Sequence, residues 1–282
     1  MRGQSQTFDG PRWLPIHAVA VFAFLYLPIG VLIVYSFNGD GVGGFPPRGF
    51  TLEWYRVLFA DGAVWRSVMN SLMVAAAAVV IALSLGLPAA LALDRATFPG
   101  KGAFRRLVLL PLILPGIITG LSLLMLFVAA RVRLSLVTIT LGHGTALISV
   151  AATELFAALQ KMDRAQEEAS LDLGADYWRT FWRVTVPNLR LPLITSGLLI
   201  FTLSMDEIAV SFFLIGRENT LPLEIWSRLR RGITPEINAV STIIFVFSVA
   251  MLFLWYRLRM KPQDVQQGVA KMIQAPIPGG TL

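Results

Sequence analysis

Hydrophobic positions along the chain gather into six stretches long enough to cross a bilayer, taking about 20 predominantly apolar residues as the requirement. They lie near 14–37, 67–93, 107–130, 134–159, 191–216 and 237–257. Between the fourth and the fifth, polar and apolar residues mix at helical spacing instead. Asp163 is placed to cap a helix with Gln166 three residues on, after which Ala165, Ala169 and Leu173 share a face. Gly174 then supplies the left-handed conformation that closes a helix, and its missing side chain lets another surface approach the backbone. Asp176 caps a second helix, in which Tyr177, Phe181 and Val184 form a stripe flanked by Trp178 and Trp182, with Arg179 and Arg183 four apart. Pro187 is predicted to stop it. By spacing alone, an amphipathic linker resting on lipid headgroups would also explain this pair.

The other stretches carry their own signals. Arg2 and Arg12 before the first span mimic a secretory leader, but the uncharged run from Trp13 to Gly39 exceeds the 7–15 residues of a leader core, so an uncleaved membrane helix is expected. The second span is rich in small residues, among them Ala75–Ala78, Ala82, Gly86, Ala89, Ala90 and Ala92, which predicts close packing inside a bundle. Pro88 is expected to kink or loosen it. Pro111 and Pro115, with Gly116 and Gly120, interrupt the start of the third span; a bending or gating helix and ordinary membrane-helix irregularity both fit. In the first outer loop, Thr51–Phe59 reads as a short interfacial helix with Trp54, Tyr55 and Leu58. In the last, a helix is expected from Pro222 to Gly232 on the outer surface, with Leu223, Trp226 and Leu229 on one side. After Pro262 the periodicity is lost, and a frayed tail is expected.

Composition agrees with the pattern. Of 282 residues, 55% are hydrophobic and 15% charged, against about 25% charged in a soluble domain. An integral membrane protein follows. The chain has no cysteine and two histidines, which excludes a disulfide framework and thiolate metal sites and leaves no obvious metal cluster. Its net charge is +7, but the basic residues flank apolar spans, so anionic lipid headgroups rather than nucleic acid are the expected counterpart. An even number of spans puts both termini on one side. With that side cytoplasmic, 15 of the 24 Lys and Arg residues lie inside, which places the 160–190 loop in the cytoplasm.

No catalytic constellation is present. There is neither a phosphate-cradling Gly-x-x-x-x-Gly-Lys run nor a Cys/His/Ser set suited to nucleophilic work, so any ATP must be handled by another chain. Three acidic residues fall within the spans: Glu154 near the cytoplasmic end of the fourth, and Asp206 and Glu207 in the fifth. Asp206 lies past the midplane, about 22 Å along a helix from Leu191, and consecutive helical residues point about 100° apart, so the two carboxylates cannot share one orientation. Two readings stand: a cation-attracting pathway lining, or a polar contact with His143, Asn70 or another subunit. His143, between two glycines, reads as a hydrogen-bonded packing residue rather than a ligand.

The 160–190 loop resembles the Glu-Ala-Ala loop of permease subunits of ATP-binding-cassette importers. Glu168, Ala169, Gly174 and Pro187 stand in the family's register, with Ser170 for its second alanine and Val184 and Val186 for its Ile and Leu. At average residue frequencies, four such identities arise by chance in roughly one chain of this length in a few hundred. The resemblance implies a coupling helix that docks on a cytoplasmic ATPase through Glu168, Ala169, Ser170, Leu171, Gly174, Ala175 and Pro187. Three further places look like the second permease of spermidine/putrescine-type importers. These are Ser36-Phe37-Asn38 with Gly49-Phe50-Thr51-x-x-Trp54-Tyr55, the Phe201–Phe213 segment, and Thr220-Leu221-Pro222-Leu223 through Pro235-Glu236-Ile237-Asn238-Ala239. Related permeases carry opines, amino-acid derivatives or ferric iron, so the resemblance implies import of polyamines or a related small organic solute without fixing which one.

What it implies is an all-α membrane protein of six transmembrane helices in a bacterial inner membrane, both termini cytoplasmic. Residues 1–13 would form the N-terminus, 14–260 the permease domain and 261–282 the tail. Expected partners are a second permease subunit, a cytoplasmic ATPase dimer, a periplasmic or lipid-anchored solute-binding protein and membrane lipids. ATP and Mg would be bound by the ATPase, with no cofactor in this chain. The rival from another class is a stand-alone secondary transporter or channel using Asp206 and Glu207, which would have no need of a docking loop. A structural membrane anchor leaves the polar positions of the fifth span unexplained.

Overall fold

The structure, a computed structural model, describes residues 13–40, 46–232 and 235–259. The expected tail and nearly all of the expected N-terminal segment lie outside them. The chain runs through α1 (Trp13–Tyr35), α2 (Glu53–Ala60), α3 (Gly62–Arg95), α4 (Lys101–Ile113), α5 (Gly116–Ala129), α6 (Leu136–Lys161) and α7 (Ala165–Asp172). It continues with α8 (Tyr177–Thr180), a π-helical turn at Phe181–Thr185, α9 (Val186–Asn188), α10 (Arg190–Asp206), α11 (Ala209–Leu214), α12 (Leu221–Arg231) and α13 (Pro235–Arg259). Two compact units result, one spanning Asp61–Arg231 and the other formed by the segments on either side of it.

In the Asp61–Arg231 unit, α3 and α6 form the central pair. The Asp61 carboxylate accepts the Ala63 and Val64 amides at 2.8 and 3.4 Å and starts α3, while Ser135 and Thr138 close a capping box on α6. The small residues of α3 allow the close approach expected of them. Ala75, Ala78, Ala82 and Ala90 are fully buried, and a Cβ added at Gly86 would stand 2.4 Å from the Ala151 Cβ. α3 remains one helix through Pro88. Around this pair, Val74, Ile139, Val210 and Leu214 form one apolar cluster, and Ala90, Leu155, Leu159 and Leu189 another.

The expected third span is not one straight helix. α4 and α5 meet at 106°, because Pro115 bars Leu114 from helical geometry and leaves it extended at ψ 131. α5 alone, with 14 residues, is about 21 Å long, short of a hydrocarbon core of about 30 Å. The expected fifth span is likewise broken, α10 ending at Asp206 and α11 starting at Ala209. As they stand, Ile16–Tyr35, Gly62–Arg95 and Leu136–Lys161 are long and apolar enough to cross a membrane. Counting the bent pairs Lys101–Ile113 with Gly116–Ala129 and Tyr177–Asn188 with Arg190–Asp206 as one crossing each brings the number among the described residues to five, one short of the six expected.

In the other unit, the Ser36-Phe37-Asn38 and Gly49–Tyr55 segments meet. Asn38 and Phe50 form an isolated antiparallel bridge, the Thr51 amide donates to the Phe37 carbonyl at 2.9 Å, and the Phe37 and Phe50 rings stack. Trp54 Nε1 donates to the Asn38 carbonyl at 2.8 Å, and the Ser36 and Tyr55 hydroxyls lie 2.6 Å apart. These bonds fasten α2 to the end of α1. An open apolar cavity of about 500 Å³ in the same unit is lined by Phe37, Leu52, Tyr55, Thr242, Ile243, Val246 and Ala250.

Candidate functional site

The 160–190 loop is built from two short helices closed on themselves. The Asp163 carboxylate accepts the Ala165 amide at 3.0 Å, at the start of α7. Gln166 does not complete the expected box: its carbonyl oxygen accepts from Asn188 Nδ2 at 2.8 Å, tying α7 to α9. α7 closes as the sequence predicts. Gly174 sits at φ +84, with Gly174 N–H donating to the Leu171 carbonyl and Ala175 N–H to the Ser170 carbonyl. Nothing lies within 4 Å of where a Gly174 Cβ would stand, so within this chain the demand for glycine is conformational. Asp176 caps α8 by accepting the Arg179 amide, and the Ser170 and Thr180 hydroxyls, 3.0 Å apart, join α7 to α8.

Pro187 does not stop the second helix. The helix widens into the π turn at Phe181–Thr185, where Val186 N–H reaches the Phe181 carbonyl, and then runs on to Asn188. A proline ring clashes with the carbonyl four residues before it, here that of Arg183, and the wider turn makes room for it. The chain then bends by 66° into α10. The buried side also differs from the expected stripe: Thr180 and Thr185 are buried and Phe181 and Val184 half-buried. Leu173, Tyr177 and Trp178 are 90%, 83% and 69% exposed, and the Trp178 ring stands edge-on to Trp182 at 5.7 Å. Of the residues marked by the resemblance, Glu168, Ala169, Gly174 and Pro187 are exposed; Ser170, Leu171 and Ala175 are half-buried.

Beneath this loop lies a charge cluster that the sequence reading missed. Arg164 Nη2 lies 3.2 Å from both carboxylate oxygens of Asp94, Gln160 Nε2 donates to the same carboxylate at 3.3 Å, and Arg95 Nε approaches it at 3.2 Å. The Asp94 side chain has no solvent exposure at all. Glu167 accepts the Thr185 hydroxyl at 2.6 Å and faces Arg95 Nη2 at 2.9 Å. That last approach is a charge contact without hydrogen-bond alignment. The available signal was the Asp-Arg pair ending a long apolar span, with opposite charges about 70 residues on.

A second cluster ties the other end of α3 to α12. Arg228 donates to Asp61 at 2.6 Å and to Glu224 at 2.9 Å, Asn219 Nδ2 donates to Glu224 at 2.8 Å, and the Leu221 amide donates to Ser71 Oγ at 2.8 Å. Burial works against the charge on Asp61, yet the Arg228 hydrogen bond and the two helix-start amides outweigh it and hold the carboxyl below its ordinary value. Burial likewise opposes the Arg228 charge, and its two carboxylate partners hold the guanidinium above its ordinary value. The buried face of α12 is therefore Leu221, Leu223 and Glu224 rather than the expected Leu223, Trp226 and Leu229.

Asp206 is exposed at the last turn of α10. Glu207, half-buried, occupies the break and accepts the Val210 amide at 2.9 Å. Neither carboxylate is paired with His143 or Asn70. Both ring nitrogens of His143 lie 2.8 Å from serine hydroxyls, Ser204 on α10 and Ser211 on α11, so the buried imidazole bridges the two sides of the break. Asn70 donates to the Asn219 carbonyl. Glu154 is exposed on α6. Among the described residues no three His, Asp or Glu side chains converge to hold a metal ion.

Residues 82–259 match the family model described as "Binding-protein-dependent transport system inner membrane component". The chain is 35% identical over 268 residues to the putrescine transport system permease protein PotI of Escherichia coli (strain K12), covering 90% of this chain and 95% of that protein. It is 36% identical over 236 residues to the spermidine/putrescine transport system permease protein PotC of Haemophilus influenzae, covering 83% and 91%. Among solved structures it is similar in fold, with a TM-score of 0.62 and 20% identity, to a chain of a bacterial ABC transporter involved in the import of the acidic polysaccharide alginate, covering 86% of this chain and 93% of that one.

Proposed function

The chain belongs to the inner-membrane components of binding-protein-dependent transport systems, and from that premise we propose that it is the permease of an ATP-driven polyamine importer. It works beside a second permease subunit, takes solute from a binding protein outside and is driven by a cytoplasmic ATPase dimer that holds the ATP and Mg. The supporting observation is the 160–190 loop. Its helices are capped, bonded to each other and ion-paired to α3, yet Leu173, Tyr177, Trp178 and Trp182 stay exposed, as suits a face made for another chain. Glu168, Ala169, Ser170, Leu171, Gly174, Ala175 and Pro187 belong to that docking element. A transporter or channel working alone would have no use for it, and that alternative is not favoured.

Six crossings complete the reading, with α4–α5 as a broken third and α10–α11 as a broken fifth, and with both termini and the 160–190 loop in the cytoplasm. Single cysteines test the orientation because the native chain has none. At Gly100 and Asp172 they are expected to resist an impermeant thiol reagent on whole cells, and at Glu218 to react. Co-purification with the ATPase subunits tests the assembly; a chain that never retains them would sink the importer reading. The relatives' names and the two carboxylates at the α10–α11 break favour a cationic solute, since each amine shed from water needs an acceptor or negative group along the path. Putrescine uptake into vesicles is expected to fall for Asp206→Asn and Glu207→Gln with assembly intact. Undiminished uptake in the double variant would remove both from the pathway.

A further inference from the structure

We infer that the Asp94, Arg95, Arg164 and Glu167 cluster is the strut through which movement of the 160–190 loop reaches α3, with Glu167 turned inward to transmit and Glu168 left outward for the partner. This rests on reading the loop as the ATPase-docking element. Four parts of the chain converge on the cluster: the last turn of α3 (Asp94 and Arg95), the end of α6 (Gln160), the entry and first turn of α7 (Arg164 and Glu167), and the π turn (Thr185). Two carboxylates meet two guanidinium groups, so the cluster is neutral.

The burial pattern separates a strut from a solubility device. Charges that only keep a loop in water are solvated, whereas the Asp94 side chain is wholly enclosed. A carboxylate persists there only while paired, and its Arg164 partner lies 70 residues away in sequence. Separating the loop from α3 therefore removes the Arg164 and Glu167 contacts and leaves the enclosed Asp94 carboxylate with Arg95 and Gln160 alone. Neighbouring residues divide the work, Glu167 being half-buried against Arg95 and Thr185 while Glu168 is exposed. Because Arg95 Nη2 faces Glu167 without hydrogen-bond alignment, it is the link that a small rotation of α7 would most readily strengthen or break.

The test uses the complete complex with its ATPase subunits in lipid nanodiscs. A single cysteine replaces Ser84, on an exposed position of α3, and ATP-dependent change in its thiol-labelling rate reports movement of that helix. Glu167→Gln and Arg95→Gln are each expected to retain the ATPase subunits and to cut the ATP-driven change about tenfold. Combined, they should cut it by less than the product of the two single losses, because the Arg95–Glu167 contact is common to both. Native-sized changes in both single variants would overturn the strut, as would additive losses or the absence of any ATP-dependent change at Ser84→Cys in the otherwise native chain. Loss of the ATPase subunits from Glu167→Gln would overturn the inward and outward division. Glu168→Gln is the separate arm: if it and Trp178→Ala both retain the subunits in full, the docking reading fails on its own account.

Discussion

The two ends of α3 are held in similar ways and finished differently. Asp61 and Arg95 stand about 51 Å apart along the helix, more than a hydrocarbon core of about 30 Å, so both charge clusters can sit beyond the apolar region. At each end, ion pairs tie α3 to a short helix from a distant loop: α12 through Arg228, and α7 through Glu167. At the Asp61 end that helix turns Leu221, Leu223 and Glu224 inward. At the Arg95 end the loop turns its polar groups inward and leaves Leu173, Tyr177 and Trp178 outside. An apolar face folded in is completed by its own chain, whereas an apolar face left out over a braced polar base is the surface that the proposed docking would use.

Substitutions should separate the two ends. The largest expected effect on folding is Arg228→Ala, which leaves the half-buried Asp61 and the buried Glu224 without their shared cation. A loss of about 2–4 kcal/mol in denaturant unfolding in micelles is expected, with ATPase binding unchanged; a silent variant would show that this end is not self-completed. Trp178→Ala should do the reverse. Stability should stay within about 0.5 kcal/mol of native, while affinity for the ATPase subunits falls by about 2 kcal/mol, or roughly 30-fold, in a pull-down titration. Equal loss of both would erase the distinction.

Gly174→Val is expected to cost about 1–2 kcal/mol, because a β-branched residue must adopt φ +84, and to weaken ATPase binding by about 5- to 30-fold without crowding any atom of this chain. Binding at native strength would show that the left-handed turn is dispensable for docking. The smallest effect is the response to pH at the Asp61 end. A carboxyl held below its ordinary value of 3.8 contributes stability that is fully present above that value and lost only as pH falls through the lower, folded one. The stability difference between the native chain and Asp61→Asn should therefore be constant from pH 8 to 5 and shrink below about pH 3.8; shrinkage near pH 6 would mean that the Arg228 pair is not formed.

Much of the fold was legible because hydrophobic length and residue size are local quantities. The long apolar runs of α1, α3 and α6, the small-residue face of α3 and the αL glycine at Gly174 all follow from adjacent residues. Where the outcome differs, either the helix changed its local geometry or a residue farther along the chain decided. Pro187 was expected to end a helix, but the π turn absorbed its ring and the chain bent two residues later. Gln166 was expected to close a box on Asp163, but Asn188 offered its amide. Asp94 and Glu167 escaped notice because their partners are separated from them by 70 and 72 positions.

By itself, the sequence determined that this is a helical membrane protein with a capped two-helix loop carrying the marks of an importer permease, because hydropathy, capping and glycine geometry act over a few residues. Only the tertiary structure decided which face of each amphipathic helix is buried and which carboxylates are enclosed. Which face is buried depends on desolvation and charge pairing with residues far along the chain. A stripe of Tyr177, Phe181 and Val184 reads the same whether it packs inward or waits for a partner, and Glu167 and Glu168 are alike until Arg95 and Thr185 are brought beside one of them.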